Sequence, residues 1–381
     1  MNNQVNRRNF LKLSATAGAA IVLAPSGVRA NEKEMKQAKL PERILGARTG
    51  IKVPILSMGV MNADNPSVVR ASYNSGITHY DTANGYQRGR NEEMLGEFFA
   101  DKPRDSFIMA TKVRQGPADN AAALFLESFE VSMKRLRMAY VDILYYWGLE
   151  NAEQVNYAPV MEVLQKLKSA GRIKYIGLST HSNEPTVINA AVDNGKYDVI
   201  LTSYNYTRRD LAVLNPAIER AVKAGLGMVA MKTMAGGKNV NTRAAIKWAL
   251  QNPNIHTAIP GYTSFAMLEE LLDAAMNLNL TDDEKKSLTV ANNTMYCQGC
   301  RICEGQCPKG LPIAEMMRAY MYSYGYNSAA MAKELIDELA MTGNPCNDCI
   351  SCAVKCPAGF QVAQKVKDIS RLQYVPKEFL V

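Results

Sequence analysis

Residues 77–86 read ITHYDTANGY, a short apolar run that ends on an acidic residue and is followed by a polar, glycine-containing turn. The same order recurs between residues 41 and 290: a short apolar stretch, a polar end, and then a longer segment with helical periodicity. This alternation is typical of a parallel α/β architecture, in which a helix follows each strand and packs on the sheet. Residues 77–81 are therefore predicted to form a buried strand.

Eight strands of this kind are predicted, at residues 54–59, 77–81, 107–112, 141–147, 173–179, 199–204, 227–232 and 256–260. Eight strand–helix units in about 250 residues match the size of a (β/α)8 or TIM barrel. An open, doubly wound sheet is the alternative, although no glycine-rich dinucleotide turn follows the first strand. Residues 42–53, with the turn Arg48-Thr49-Gly50, are predicted to form a hairpin ahead of the barrel.

The composition is that of an ordinary globular protein. The chain has 381 residues, 47% of them hydrophobic, which is enough for one large core and a smaller appended unit. The formal charge is +8, but residues 1–30 hold four basic residues and no acidic ones. The rest of the chain has only a small excess of cations and no basic stripe, so nucleic-acid binding is not expected.

The first thirty residues have the features of an export signal. Residues 6–12 read NRRNFLK, a weakly apolar run follows at 13–24, and small residues lead up to Ala30. This pattern resembles a twin-arginine signal, and it predicts that the twin-arginine export machinery delivers the protein to the periplasm after cleavage behind residue 30. A membrane-anchoring helix is the alternative, but a run of about a dozen residues is shorter than the roughly 20 that span a bilayer.

All eight cysteines fall in two copies of the pattern C-x2-C-x2-C-x3-C-P. They are Cys297, Cys300, Cys303 and Cys307 in the first copy, and Cys346, Cys349, Cys352 and Cys356 in the second. This spacing is that of bacterial two-cluster ferredoxins and predicts two [4Fe-4S] clusters. Zinc or disulfides are the alternatives, but no histidine follows His256 for a mixed zinc site, and disulfides do not account for the repeated intervals.

In two-cluster proteins of this kind, the fourth cysteine of each motif binds the other cluster. We therefore expect Cys356 to join the first three cysteines of the first motif, and Cys307 to join those of the second. A helical stretch at 313–341 separates the motifs, so residues 291–381 are predicted to form a small, mainly α-helical ferredoxin-type domain behind a barrel at 31–290. This domain resembles the α-helical ferredoxin domain fused to respiratory dehydrogenases.

The barrel resembles the aldo-keto reductase family. The motifs that carry the resemblance are YDTANGY at 80–86, NEEMLG at 91–96, ATK at 110–112, YVD at 140–142, GRI at 171–173, IGLS at 176–179, YN at 204–205, WAL at 248–250 and IPG at 259–261. They occur in family order over essentially the whole barrel. The resemblance implies an oxidoreductase that acts on a small carbonyl or alcohol with NADP(H), through a catalytic tetrad of Asp, Tyr, Lys and His.

Three tetrad positions match this sequence: Asp81, Tyr86 and Lys112. A tyrosine with an ordinary pKa near 10 needs help to act as an acid or base near neutral pH. A nearby lysine ammonium is expected to stabilise the tyrosinate, and an aspartate to keep that lysine charged and oriented. All three lie at the carboxyl ends of predicted strands or in the following loops, the face where barrel enzymes carry their active sites.

The fourth position departs from the family. Trp147 stands where the resemblance places the histidine, and an indole donates one hydrogen bond but does not shuttle protons. His181, just beyond the next matching strand, is the candidate replacement; a loop histidine with no catalytic role is the equally weighted alternative.

The expected nicotinamide site departs as well. The family's polar or aromatic contacts align with Leu201, Met231, Thr263 and Leu271. The candidate phosphate or nicotinamide contacts that remain are Ser179, Asn205, Lys232, Gly236 and Gly237. Each lost polar contact is worth on the order of 1 kcal/mol. These losses argue against tight, exchangeable NADP(H) binding.

Three functions are compatible with these features. The first is an exported oxidoreductase that exchanges electrons through the clusters with another redox protein or a membrane quinone. The second is a conventional NADPH-dependent reductase with structural clusters, and the third is a non-enzymatic electron carrier whose barrel is a docking scaffold. Retention of Asp81, Tyr86 and Lys112 favours an enzyme, and Trp147 and Leu201 count against ordinary nicotinamide chemistry.

Overall fold

The structure is a computed structural model that describes residues 39–234, 240–290, 296–341 and 343–380. Strands β1 (Glu42–Ile44) and β2 (Lys52–Pro54) form the antiparallel hairpin predicted ahead of the barrel. Eight further strands form one parallel sheet, each beside its neighbours in sequence. They are β3 (Met58–Gly59), β4 (His79–Asp81), β5 (Ile108–Val113), β6 (Val141–Trp147), β7 (Ile173–Thr180), β8 (Val199–Ser203), β9 (Gly227–Met231) and β10 (Thr257–Ala258).

The sheet closes on itself. Parallel bridges join Leu56 to Ala258 and Gly59 to Gly261, so the first strand of the sheet meets the last. The predicted (β/α)8 barrel is therefore correct, and the alternative of an open, doubly wound sheet is wrong.

Helices surround the barrel and continue beyond it. Those of the barrel are α1 (Pro66–Asn74), α2 (Arg90–Phe99), α3 (Ala121–Leu136), α4 (Ala152–Val155), α5 (Ala158–Ser169), α6 (Glu184–Asn194), α7 (Leu211–Lys223), α8 (Thr242–Gln251), α9 (Phe265–Met276) and α10 (Asp282–Val290). The C-terminal segment adds α11 (Ile313–Tyr320), α12 (Ala329–Glu338) and α13 (Val362–Ser370). No helix in the described ranges is long and apolar enough to cross a bilayer.

The sequence pattern explains this layering. Strand β6 is buried at every position but its last, as expected for a parallel strand with side chains packed on both faces. Helix α3 buries Phe125, Phe129, Met133 and Leu136, which are spaced three or four residues apart and form one apolar stripe. Stripes of this kind hold the helices against the outside of the sheet.

The hairpin closes the amino-terminal end of the barrel. Leu45 and Val53 are fully buried and pack with interior residues such as Val229. Gly46 has a φ of +71°, and a Cβ there would lie 2.4 Å from the backbone nitrogen of Gly227 at the start of β9. Only glycine fits this close approach, and the opposite end of the barrel is left open for the site.

The C-terminal segment has an apolar core of its own. Met316, Met317, Ile336 and Val366 form its centre, and six of the eight cysteines are partly buried beside it. The helical stretch predicted at 313–341 is interrupted, because a π-helical turn, Met321–Gly325, follows α11. We call residues 321–334 the roof segment. Residues 39–381 form one compact unit, and the division at residue 290 stays a prediction.

Candidate functional site

The open end of the barrel collects the residues that the sequence singled out. Asp81 ends β4, Lys112 lies near the end of β5, Trp147 ends β6, and His181 follows β7 directly. Because parallel strands present their carboxyl ends at one rim, four separate stretches of chain meet here. Tyr86 lies in the turn after β4 and faces the same rim.

Asp81 and Lys112 form a buried ion pair at the base of the site. Both side chains are at most 3% exposed, and the Lys112 ammonium donates to Asp81 Oδ1 and, at 2.6 Å, to the carbonyl oxygen of Thr82. Burial raises the pKa of Asp81 and lowers that of Lys112, and the attraction between the two charges opposes both shifts. Asp81 Oδ2 is buried without a hydrogen-bond partner among the described residues.

Tyr86 lies directly over this pair. The Lys112 ammonium is 4.8 Å from the centroid of the Tyr86 ring, a cation–π contact. Burial raises the pKa of Tyr86 well above 10, and the Asp81 carboxylate raises it further. Tyr86 therefore keeps its proton at neutral pH and is a hydrogen-bond donor, and stabilisation of its anion by Lys112 stays a prediction.

Trp147 and His181 are in contact. The Trp147 ring meets Tyr86 edge-on, with 5.5 Å between centroids, and its indole Nε1–H donates to His181 Nε2 at 3.3 Å. Burial holds the pKa of His181 well below 6.5, so the imidazole is neutral at neutral pH. His181 Nδ1 is buried without a hydrogen-bond partner in the described ranges. The single indole donor is thus used within the protein.

Two of the candidate cofactor contacts, Ser179 and Asn205, form hydrogen bonds within the protein. Ser179 Oγ accepts from the backbone of Gly148 at 3.3 Å. The Asn205 side-chain amide donates to the carbonyl oxygen of Lys232 at 3.1 Å and to Gln298 Oε1 at 2.9 Å. Gln298 lies inside the first cysteine motif, so this motif occupies a group that the resemblance assigns to the nicotinamide.

Lys232 lines the cavity, and burial lowers its pKa to about 7. The last two candidate contacts, Gly236 and Gly237, lie outside the described residues.

The eight cysteines are free thiols that gather in two groups of four. Burial, together with repulsion from the three neighbours Cys300, Cys303 and Cys356, raises the pKa of Cys297 to about 11. The pKa of Cys346 is raised by burial and by Cys349, Cys352 and Cys307. Cys297 thus lies near two thiols of its own motif and the last thiol of the other, and so does Cys346; that each group binds a cluster stays a prediction.

This donor set fits a pair of four-iron clusters. Four cysteines per group is the ligand count of a [4Fe-4S] cluster, and six of the eight thiols pack beside the apolar core, whereas Cys349 is exposed. No three His, Cys, Asp or Glu side chains of the described residues converge closely enough to hold a single metal ion.

The first cysteine motif packs against the mouth of the barrel. Gly299 has a φ of +78°, and a Cβ there would lie 2.6 Å from the carbonyl oxygen of His181. Arg301 forms a salt bridge with Glu150 at 2.9 Å, and Arg318 of α11 reaches the same carboxylate at 3.2 Å. These contacts hold the motif beside the end of β7.

We expect Gly299→Ala to destabilise the contact between this motif and the barrel. The added methyl group overlaps the His181 carbonyl, and overpacking of this kind costs about 1–3 kcal/mol. Gly305→Ala is the matched control, because Gly305 lies in the same motif with a φ of +72° but has nothing within 4 Å of its Cβ position. Thermal unfolding followed by tryptophan fluorescence compares the two; equal losses of stability would contradict the close packing.

A cavity of about 1060 Å³ opens above Tyr86. The barrel lines it with Asp81, Tyr86, Trp147, His181 and Lys232, among others, and the roof segment lines it with Tyr322, Gly325, Tyr326, Met331 and Glu334. Sequence reasoning missed the roof residues and Gln298. An enrichment in Tyr and Met at residues 316–326 is the sequence signal that points to the roof residues.

Comparison with known proteins agrees with this geometry. The Aldo/keto reductase family profile matches residues 59–243, and the TAT (twin-arginine translocation) pathway signal profile matches residues 4–24. L-galactose dehydrogenase of Arabidopsis thaliana is 26% identical over 304 residues, which cover 66% of this chain and 93% of the plant protein. D-threo-aldose 1-dehydrogenase of a Pseudomonas species is 25% identical over 228 residues, 50% of this chain and 69% of that protein.

Among solved structures, the holo form of an aldo-keto reductase from Bacillus halodurans matches with a TM-score of 0.55 and 21% identity. The match covers 66% of this chain and 96% of that one, and it supports the barrel fold. Residues 59–243 are therefore similar to the aldo/keto reductases, a twin-arginine signal sequence precedes them, and the protein is an oxidoreductase.

Proposed function

We propose that this protein interconverts a small carbonyl compound and its alcohol in the periplasm and exchanges the electrons through two [4Fe-4S] clusters held by its C-terminal segment. The observation that carries the proposal is the close packing of the first cysteine motif on the active-site rim, at Gly299 and His181. When bound, each cluster exchanges one electron, so two clusters supply the pair that a carbonyl–alcohol conversion requires.

A continuous set of contacts joins this motif to the catalytic tyrosine. The backbone N–H of Gly299 donates to Cys297 Sγ at 3.4 Å, and Gly299 abuts the His181 backbone. The His181 imidazole accepts from Trp147, and the Trp147 ring meets Tyr86. Close contact over the whole distance favours electron transfer between the motif and the cavity.

The barrel residues supply the acid chemistry. In the reducing direction, the carbonyl group gains two electrons and two protons. Tyr86 holds a proton at neutral pH, lines the cavity, and donates it to the substrate oxygen. Lys112, fixed by Asp81, stabilises the charge that remains on Tyr86, and solvent supplies the second proton.

Two contacts disfavour the conventional use of a nicotinamide. Asn205 is hydrogen-bonded to Gln298 of the first motif, and Ser179 is hydrogen-bonded to the backbone of Gly148. An incoming cofactor would have to break both interactions, which are worth roughly 1 kcal/mol each. An exported protein also lacks a maintained NADPH pool, so a redox protein or a membrane quinone is the proposed electron partner.

The test is made on the full mature protein, purified without oxygen. We expect iron and sulfide equivalent to two clusters per chain, benzaldehyde-dependent oxidation of reduced methyl viologen with formation of benzyl alcohol, and no change in tryptophan fluorescence on addition of NADPH or NADH. Tight NADPH binding with NADPH-driven turnover would overturn the proposal, as would a protein that binds no iron.

A further inference from the structure

The roof segment brings two tyrosines to the catalytic one. Tyr322 and Tyr326 line the same cavity as Tyr86, and their rings lie 5.9 Å apart. Charge repulsion from each of them contributes to the raised pKa of Tyr86. A segment about 180 residues after Trp147 thus contributes to the wall above the reacting position.

The hydroxyl groups of these tyrosines are free to bind a ligand. Within the described ranges, no protein group is hydrogen-bonded to the hydroxyl of Tyr86, Tyr322 or Tyr326. Burial raises the pKa of both roof tyrosines, so each keeps its proton at neutral pH and is available as a donor.

On the barrel side, Tyr86 is a free hydroxyl donor above the Asp81–Lys112 pair, and His181 is a further donor, because its Nε2 accepts from Trp147 and the ring proton lies on Nδ1. The Trp147 indole N–H is committed to His181, and the Lys112 ammonium is committed to Asp81 and Thr82. A carbonyl oxygen has two lone pairs, and the negative charge that develops on it during reduction is best stabilised by two preorganised donors. Tyr86 supplies one, and the roof tyrosines border the same cavity with free hydroxyl groups.

We propose that Tyr322 supplies the second hydrogen bond to the substrate oxygen, so that the C-terminal segment completes the active site of the barrel. Tyr326 packs against the Tyr322 ring and borders the cavity beside it. This inference rests on the proposed function, because it requires a carbonyl group to bind between Tyr86 and the roof.

The experiment measures hydrogen bonding to the carbonyl directly. The probe is 4-(dimethylamino)benzaldehyde labelled with ¹³C at the carbonyl, bound to the full, cluster-loaded protein and observed by difference infrared spectroscopy. Each hydrogen bond lowers the carbonyl stretching frequency. We expect Tyr322→Phe to raise the frequency of the bound probe and to slow aldehyde turnover by about 10²-fold, the usual effect of removing one oxyanion donor.

Tyr324→Phe is the matched control. Tyr324 lies in the same π-helical turn, but its side chain is 46% exposed and does not line the cavity. Iron content and the visible spectrum verify that each variant is loaded. A bound probe whose frequency is the same in wild type and Tyr322→Phe would overturn the inference and leave the proposed function standing. Failure of the probe to bind to wild type would overturn both.

Discussion

Phenylalanine in place of Tyr86 is expected to lower aldehyde turnover by about 10²–10⁴-fold, the usual contribution of a positioned general acid. The ring and its contacts with Lys112 and Trp147 remain, so only the proton donor is lost. Reduction of the proposed clusters by methyl viologen should keep its rate, because the cysteine motifs are unchanged. Stopped-flow absorbance measures both rates on one sample.

Tyr145→Phe is the control for this substitution. Tyr145 is fully buried in the barrel, its hydroxyl has no hydrogen-bond partner among the described residues, and it does not line the cavity. Aldehyde turnover by the Tyr145→Phe variant should therefore equal that of the wild type. An undiminished rate in Tyr86→Phe would mean that the barrel does not use the tyrosine as an acid.

Methionine in place of Lys112 is expected to lower the free energy of unfolding by about 3–5 kcal/mol, because Asp81 is left as an uncompensated buried charge. Without the ammonium, the folded-state pKa of Asp81 rises further. A carboxyl group whose pKa is raised on folding destabilises the folded state as the pH rises through that pKa. The loss of unfolding free energy in Lys112→Met should therefore be smaller at pH 5 than at pH 8. Urea unfolding followed by circular dichroism at both pH values measures it.

Two further variants distinguish an uncompensated buried charge from a loss of packing as the cause of the destabilisation. Lys174→Met removes a salt bridge to Asp142 at 2.8 Å, but Lys174 is 47% exposed, so a loss of about 1 kcal/mol or less is expected. The double variant Asp81→Asn/Lys112→Met removes the buried charge as well and should recover most of the lost stability. A deficit that persists unchanged in the double variant would show that the lysine acts through packing.

The barrel could be predicted because its signals are local. Each predicted strand overlaps an observed strand, and β6 has the predicted bounds, since a buried parallel strand is a continuous apolar run. Residues 54–59 were predicted as one strand, but the hairpin takes Lys52–Pro54 and the barrel takes only Met58–Gly59. The two parts of this stretch pair with different strands, and the residues of the stretch do not show which strand each part pairs with.

The sequence predicted the part of the site that lies at the carboxyl ends of the barrel strands. Asp81, Lys112, Trp147 and His181 come together because parallel strands share a rim. The protonated state of Tyr86 was not foreseen, since it depends on how deeply the ring is buried. The contact of Gln298 with Asn205 and the roof tyrosines depend on the docking of a segment distant in sequence, and no local pattern encodes that.

The roof segment allows the cavity to change while the family motifs of the barrel stay the same. The family profile ends at residue 243, whereas Tyr322, Tyr326 and Met331 border the same cavity as Tyr86. Changes in these residues alter the cavity without touching a family motif. Two homologues with identical barrels and different roof residues are then expected to accept different compounds. The substrate of a relative therefore does not follow for this protein from a match of barrel residues alone.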